Sequence, residues 1–451
     1  MDRPQELEVD EEREVVERVA AIDVAKATGM VCARVPHSSV PGKRVTKVWE
    51  VRATTRALTE LAEHLVNEHV ERVVLESTSD FWRPFLYVLE GAGLCVWLVN
   101  AKQVKNVPGR PKTDKLDAVW PAKLAERSML NPGFVPQEQM RHVRDLARAR
   151  FDLVEDRTRV KQRVEKVLED ALVKISSILT DLHEVSGRAM LEALIAGERD
   201  PMVLAELAKG RARARLELLA EACDGRFTSH HARLCWMLLD QADDITRRIE
   251  AVTTLLDEAI SVLEAPPGEP PTAALDPATG EILPAPVAYL SAIERISQIP
   301  GAGPQTARAV IGEIGLDMAV FSNAQRLCSW AKCSPRTVQS GTKTKGAPTG
   351  KGNPYLKAVL GQMATGAAKT DTFLGERYRR LVKRMPKKKA LAAIERPILV
   401  IIFHLLSDPS ATFTDLGTDF YPKRIDAKRR TDHLVRQLEA LGHQVTLVPA
   451  A

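Results

Sequence analysis

Residues 18–130 restrict the fold more than any other stretch of the chain. "ERVAAIDVAKATGMVCARVP" opens with a buried strand and runs into a second, and "VTKVWEVRA" alternates like a half-exposed third. "RALTELAEHLVNEHV" then has helical period. "ERVVLEST" is a short β-branched run, "FWRPFLYVLEGAG" is a helix closed by glycine, and "CVWLVN" is another strand. A helical stretch containing "RPKTDKLDAVW" comes next. The expected order is β-β-β-α-β-α-β-α.

That order fits an RNase H-like α/β sheet, and such a sheet gives a meaning to its acids. Asp23 follows three apolar strand residues, a costly place for a carboxylate unless it is a ligand or hydrogen-bonded. Glu76 ends the strand "RVVLE", and in this sheet the first strand and this later one are neighbours. Asp114 and Asp117, three residues apart on a helix, share one face. Taken singly, each acid has a plain explanation: Asp114 favours a helix N-terminus and Glu76 is an edge residue. Together, four acids from three places would converge. Crowded anions repel one another, and Mg²⁺ relieves the repulsion. Two such cations roughly 4 Å apart can activate a nucleophile and stabilise a leaving oxygen on phosphate.

The rest of the chain divides by composition. Eight acids in residues 1–17 predict a solvated, disordered tail. No apolar core of a signal peptide is seen there. Residues 18–136 form the α/β nuclease-like domain. Residues 137–264 are rich in Glu, Arg, Leu and Ala, with apolar positions at helical spacing, and predict long helices as a coiled coil or a bundle face. Residues 265–287, "APPGEPPTAALDPATGEILPAPV", read as a Pro-rich linker. Residues 288–445 form a mostly α C-terminal domain. The run "PILVIIFHLL" (397–406) is expected to be a buried helix, too short to span a bilayer. Six cysteines without a CxxC pair predict reduced thiols in a cytoplasmic protein. His230, His231 and Cys235 lack the spacing of a zinc site.

Two features point the C-terminal domain toward nucleic acid, since a net charge of only +5 does not. "AIERISQIPGAGPQTARAVIGEIG" is two helical stretches around a tight turn with Gly301 and Gly303, the pattern of a helix-hairpin-helix whose amides face a phosphate; a plain αα-hairpin has the same pattern. "RYRRLVKRMPKKK" places Arg377, Arg379, Arg380, Lys383 and Arg384 among eight basic residues in thirteen, a density suited to phosphate contact or to a solvated helix face. Between them, "CSPRTVQSGTKTKGAPTGKGNPYLKAVL" (333–360) is expected to be flexible and basic, with Ser340 followed by Lys343, Lys345 and Lys351. A serine that attacks phosphate needs deprotonation and positive charge nearby.

The motifs "IDVAK", "VLES", "KTDKLDA", "IPGAGPQTA", "QSGTK…GNPYLKAVL" and "KKKALAAIERPILVII", in this order, resemble the DEDD-type insertion-sequence transposases, the family of the Piv-like invertases and the bridge-RNA-guided serine recombinases. The resemblance covers roughly residues 18–410 on a motif-by-motif reading. It implies a RuvC-like nuclease domain, a coiled-coil insertion and a C-terminal transposase domain. It makes Asp23, Glu76, Asp114 and Asp117 a tetrad that binds Mg²⁺, and Ser340 a nucleophile that forms a phosphoserine link to DNA. It implies donor and target DNA as partners, a structured guide RNA, a homo-oligomer (dimer or tetramer), and an active site shared between subunits. The family's "GLxP" is replaced here by "KCSPRTVQSG", which leaves Ser334 as a second candidate nucleophile.

Three rivals stand beside this reading. A RuvC-like nuclease using metal-activated water would make no covalent adduct. A non-catalytic nucleic-acid-binding protein would use the hairpin and the basic helix alone. An actin-like phosphate loop at "IDVAKATG" would need glycine where Ala25 stands.

Overall fold

The computed structural model describes residues 15–77, 79–100, 114–264, 290–335, 337–340, 343–346, 349–423 and 427–447. The chain forms two compact units, residues 1–136 and 137–451.

The first unit is a five-stranded sheet in the order β3-β2-β1-β4-β5. Strands β1 (Val19–Val24), β2 (Thr28–Pro36) and β3 (Arg44–Arg52) form an antiparallel meander. Strands β4 (Arg72–Ser77) and β5 (Val96–Asn100) add in parallel beside β1. The crossovers are helices α1 (Thr55–Asn67) and α2 (Trp82–Gly91), and α3 (Asp114–Glu126) comes after β5. This is the element order and the mixed RNase H-like sheet expected from the sequence.

Alternation along the strands divides the side chains between two cores. Ala20, Ile22, Val73 and Leu75 pack beneath α1 and α2 with Leu58, Leu65 and Phe85. Val19, Ala21 and Val74 face the opposite side, where Ala118, Ala122 and Ala125 of α3 cover them. Alanines on α3 let the helix lie close to the sheet. Val16, within the acidic tail expected over 1–17, is buried and its N–H donates to the Glu126 carbonyl at 3.0 Å. Residues 1–14 lie outside the described residues.

The second unit is built on two long helices, α4 (Glu138–Asp170) and α9 (Ser229–Leu263). They run antiparallel, because Arg150 bonds Thr253, Arg157 bonds Thr246, and Asp170 bonds His231. Short helices α5 (Ile175–Ile178), α6 (Val185–Ala196), α7 (Pro201–Glu206) and α8 (Leu216–Cys223) close the distal end around Leu168, Met190, Leu191 and Leu219. His231 is a structural residue there: its Nδ1 accepts from the Thr228 N–H and its Nε2 lies 3.0 Å from Asp170.

The C-terminal helices are α10 (Ala292–Ser297), α11 (Pro304–Ile314), α12 (Ala324–Trp330), α13 (Pro354–Ala367), α14 (Phe373–Val382), α15 (Lys387–Ser407), α16 (Phe420–Lys423) and α17 (Ala427–Ala440). The base of α4 packs on α11, and the long helices and C-terminal helices fall in one compact unit. The expected linker 265–287 lies outside the described residues. The apolar run 397–406 is half of the longer helix α15, which is long and apolar enough to cross a membrane by length and composition only. Its face of Ala390, Ile394, Ile398 and Ile402 is fully buried in this unit.

Candidate active site

Asp23 and Glu76 are direct partners in the parallel register of β1 and β4. Their strands are about 4.8 Å apart, and alternation turns both residues toward the face that α3 covers, with Ala21 and Val74 beneath them. Asp23 is half-buried and Glu76 is 5% exposed. Two carboxylates so close, one of them buried, oppose each other's ionisation unless a cation or hydrogen bonds compensate. Both are hard oxygen donors, the set that suits a hard divalent cation.

The direction of α3 brings its first turn to the same place. At its C-terminal end, the Glu126 carboxylate pairs with Arg34 at 2.8 Å and Arg44 at 3.3 Å. Its carbonyl takes the Val16 N–H, and Arg72 reaches Ser128 at 3.2 Å. These contacts lie at the start of β1 and β4, so α3 runs antiparallel to both strands. From Glu126 back to Asp114 is about 18 Å of helix; from Val16 to Asp23 is about 23 Å of strand. The first turn of α3, which contains Asp114 and Asp117, therefore lies at the level of Asp23 and Glu76. The side chains of Asp114 and Asp117 lie outside the described residues. Among the described residues no group of three or more His, Cys, Asp or Glu could hold a metal ion.

In the second unit, the segment expected to be a flexible loop contains an antiparallel hairpin, β6 (Thr337–Ser340) and β7 (Lys343–Gly346). Ser340 is the last residue of β6 and pairs with Lys343, which puts it at the turn. Lys345 is also on β7, and Lys351 is exposed in the loop after it. The side chains of Ser340, Lys343 and Lys345 lie outside the described residues. Ser334, the other candidate, is half-buried just before the hairpin.

The segment after the hairpin is anchored by residues that the sequence did not single out. Asn353 caps α13 by accepting from the Tyr355 and Leu356 N–H groups at 3.0 and 3.3 Å. Its amide donates to Glu313 of α11. Glu313 also takes Arg148 as a fork, at 2.7 and 2.9 Å, with the Arg144 guanidinium beside it. Pro354 occupies the first turn of α13, where its missing N–H costs nothing. Tyr355 donates to Asp152 at 3.2 Å, and Lys357 donates to the Gly350 carbonyl at 2.8 Å. The "GNPY" motif is thus a helix cap docked on the base of α4. The sequence signal for it was Asn followed by Pro at a helix start.

The residues expected to bind nucleic acid divide into two groups. Arg377 donates to the Tyr421 hydroxyl, Arg379 pairs with Glu376 and Asp371, and Arg380 lies over the Tyr421 ring. These three tie α14 to its surroundings. Lys383 and Arg384 are exposed, as are Lys387, Lys388 and Lys389. Gly301 has φ +83°, and a Cβ there would lie 2.3 Å from the Ala367 nitrogen and the Met363 oxygen. Its glycine is required by close packing on α13. Gly303 has open space at its Cβ; its N–H donates to the Thr306 hydroxyl at 2.9 Å, which starts α11.

Two family models match the chain. Residues 20–172 match a DEDD family model of the IS110 type described as "Transposase". Residues 293–379 match one described as "Transposase IS116/IS110/IS902 family". The two matches together span more than half of the chain. A comparison with curated protein sequences finds no match. Among solved structures, the chain is similar to the Thermus thermophilus RuvC structure, at 15% identity and TM-score 0.21, over 26% of this chain and 99% of that one. It is also similar to T. thermophilus RuvC in complex with a Holliday junction substrate, at 14% identity and TM-score 0.20, with the same coverage.

Proposed function

Since this chain belongs to the DEDD-type insertion-sequence transposases, metal-dependent enzymes that cleave and transfer DNA strands, we propose that Asp23, Glu76, Asp114 and Asp117 together bind Mg²⁺ and that Ser340 is the nucleophile. The observation that carries the metal assignment is the in-register Asp23–Glu76 pair on the face covered by α3. Mg²⁺ there would offset the repulsion among four carboxylates and the charge that develops on phosphate oxygens.

Ser340 ends β6 and pairs with Lys343 at the start of the lysine-bearing strand β7, which supports its assignment as the nucleophile. Its Oγ forms a bond to phosphorus and loses its proton, while the bond from phosphorus to one sugar oxygen breaks and that oxygen leaves as a hydroxyl. The ester keeps the energy of the broken phosphodiester, so rejoining to a new strand end needs no ATP. Lys343, Lys345 and Lys351, with the exposed Lys383 and Arg384, supply charge along the backbone. A structured RNA as guide, a dimer or tetramer as the working form, and a cytoplasmic location complete the reading.

The test places the gene with its native flanking DNA on a plasmid in cells and amplifies across joined element ends. Junctions from wild type, and from neither Ser340→Ala nor Asp114→Asn, support the assignment. A covalent protein–DNA adduct on a denaturing gel should be lost in Ser340→Ala. Junction formation that survives Ser340→Ala but not Asp114→Asn makes water or Ser334 the nucleophile. Full activity of Asp114→Asn removes the metal assignment.

A further inference from the structure

Where the long helices leave the C-terminal helices, α4, α9, α11 and α13 line a half-open cavity of about 590 Å³. Its floor is apolar: Phe151, Val154, Leu256 and Val359. Arg150 and Arg157 reach it from α4, two turns apart on one face. Each is held by a threonine of α9. Arg150 Nε donates to Thr253 Oγ1 at 2.8 Å, and Arg157 Nη1 donates to Thr246 Oγ1 at 3.2 Å. Each hydroxyl spends its own proton on a carbonyl one turn back, Ile249 or Ala242. The threonines can therefore only accept, which fixes the arginines and leaves their remaining N–H groups for the cavity.

The charges around this cavity are uneven. Arg308 forms a fork with Asp257, at 2.5 and 2.8 Å. Arg159 pairs with Glu155 and Asp156, so the one carboxylate that lines the cavity is engaged. Arg150 and Arg157 make no ion pair among the described residues. Burial, followed by the charges of Arg308 and Arg157, holds Arg150 below its ordinary pKa. An anion in the cavity would relieve that crowding.

We propose that this cavity seats one unpaired nucleotide of a DNA strand, with its phosphates on Arg150 and Arg157 and its base on the apolar floor beside Phe151. The volume suits a small-molecule-sized occupant and excludes a duplex. Arginine on phosphate with an aromatic or apolar surface under the base is the chemistry of single-strand binding. The glutamines Gln305 and Gln362 at the rim offer amides to a base edge. The proposal rests on DNA being the enzyme's partner and is independent of Ser340 and the acidic tetrad.

The full chain is titrated by fluorescence anisotropy with an oligodeoxythymidine of about 20 nucleotides, longer than most single-strand binding sites, across a salt series. The double variant Arg150→Gln/Arg157→Gln should bind about tenfold more weakly, the loss expected for one charge-assisted contact. Its salt slope should be shallower by about 0.7 to 1.4, for one or two phosphates. Arg150→Lys/Arg157→Lys keeps the charge and should recover the slope, which separates lost contact from a damaged fold. Unchanged affinity and slope in the glutamine variant overturns the proposal. So does a loss seen only with oligouridine, which makes the strand RNA. A loss of thymidine monophosphate binding with oligonucleotide binding intact overturns it too, and makes the cavity a small-anion site.

Discussion

Glu313 is 2% exposed and is the hub where α4, α11 and the cap of α13 meet. Glu313→Gln keeps its size and removes its charge. Arg148 then loses its counter-ion on both arms of its fork. Arg144, with only 14% of its side chain exposed, keeps carbonyl partners at Gly312 and Glu313 but no longer faces an anion at 3.8 Å. Burial already pushes Arg144 down to about 10, and Glu313 is the largest cause acting in the other direction. Breaking a buried pair by removing one partner costs about 3–5 kcal/mol. Arg148 is 31% exposed and water can reach it, so the lower end, about 3 kcal/mol, is expected. At 1.4 kcal/mol per decade that is about a hundredfold. Hydrogen exchange of the α11 amides Val310–Ile314, which report opening of this packed layer, should accelerate by about that factor. Acceleration below about threefold, less than 1 kcal/mol, would refute the reasoning that the charge, rather than the shape, of Glu313 holds the layer together.

Other sites carry further expected outcomes. Gly301→Ala meets backbone atoms of α13 at 2.3 Å and should lower the stability of the second unit by about 2–4 kcal/mol in urea. Gly303→Ala, with open space, should stay near wild type, and equal loss in both would point to a shared ligand contact instead. Native protein should show one fast-reacting thiol, Cys95. Burial pushes Cys32, Cys223 and Cys235 up to about 11 and Cys333 to about 12, so rapid labelling of two or more would contradict the packing. Burial raises the Glu395 pKa, with Lys357 opposing it. Between its ordinary and its raised value the folded state binds more protons, so stability falls as pH rises through that window. Glu395→Gln should flatten this part of the stability–pH curve, and an unchanged curve would dismiss the assignment.

The sheet was legible because strand and helix periods are local. "AAIDVAK" and "RVVLE" are short apolar runs that read as buried strands, and their order admitted few sheets. Asp23 and Glu76 stood out because a carboxylate inside an apolar strand is costly. "SGTKTKG" reads as a loop because glycine and lysine are depleted in strands and no apolar residue alternates with its two threonines. Its β6–β7 ladder is made of backbone bonds, which composition does not report.

The basic helix shows the same limit. Eight cations in thirteen residues look alike in sequence, yet Tyr421, Glu376 and Asp371 engage three of them and leave Lys383 and Arg384 exposed. Sequence alone settled the strands and helices of the first unit, which acids sit in its strands, and the family to which the motif order belongs, since these depend on neighbours within a few residues. Tertiary structure alone decided the register that sets Asp23 against Glu76, the direction of α3 that carries Asp114 and Asp117 to their level, and the packing of Gly301 and Glu313. Those depend on contacts between residues far apart in the chain, and no local pattern encodes them.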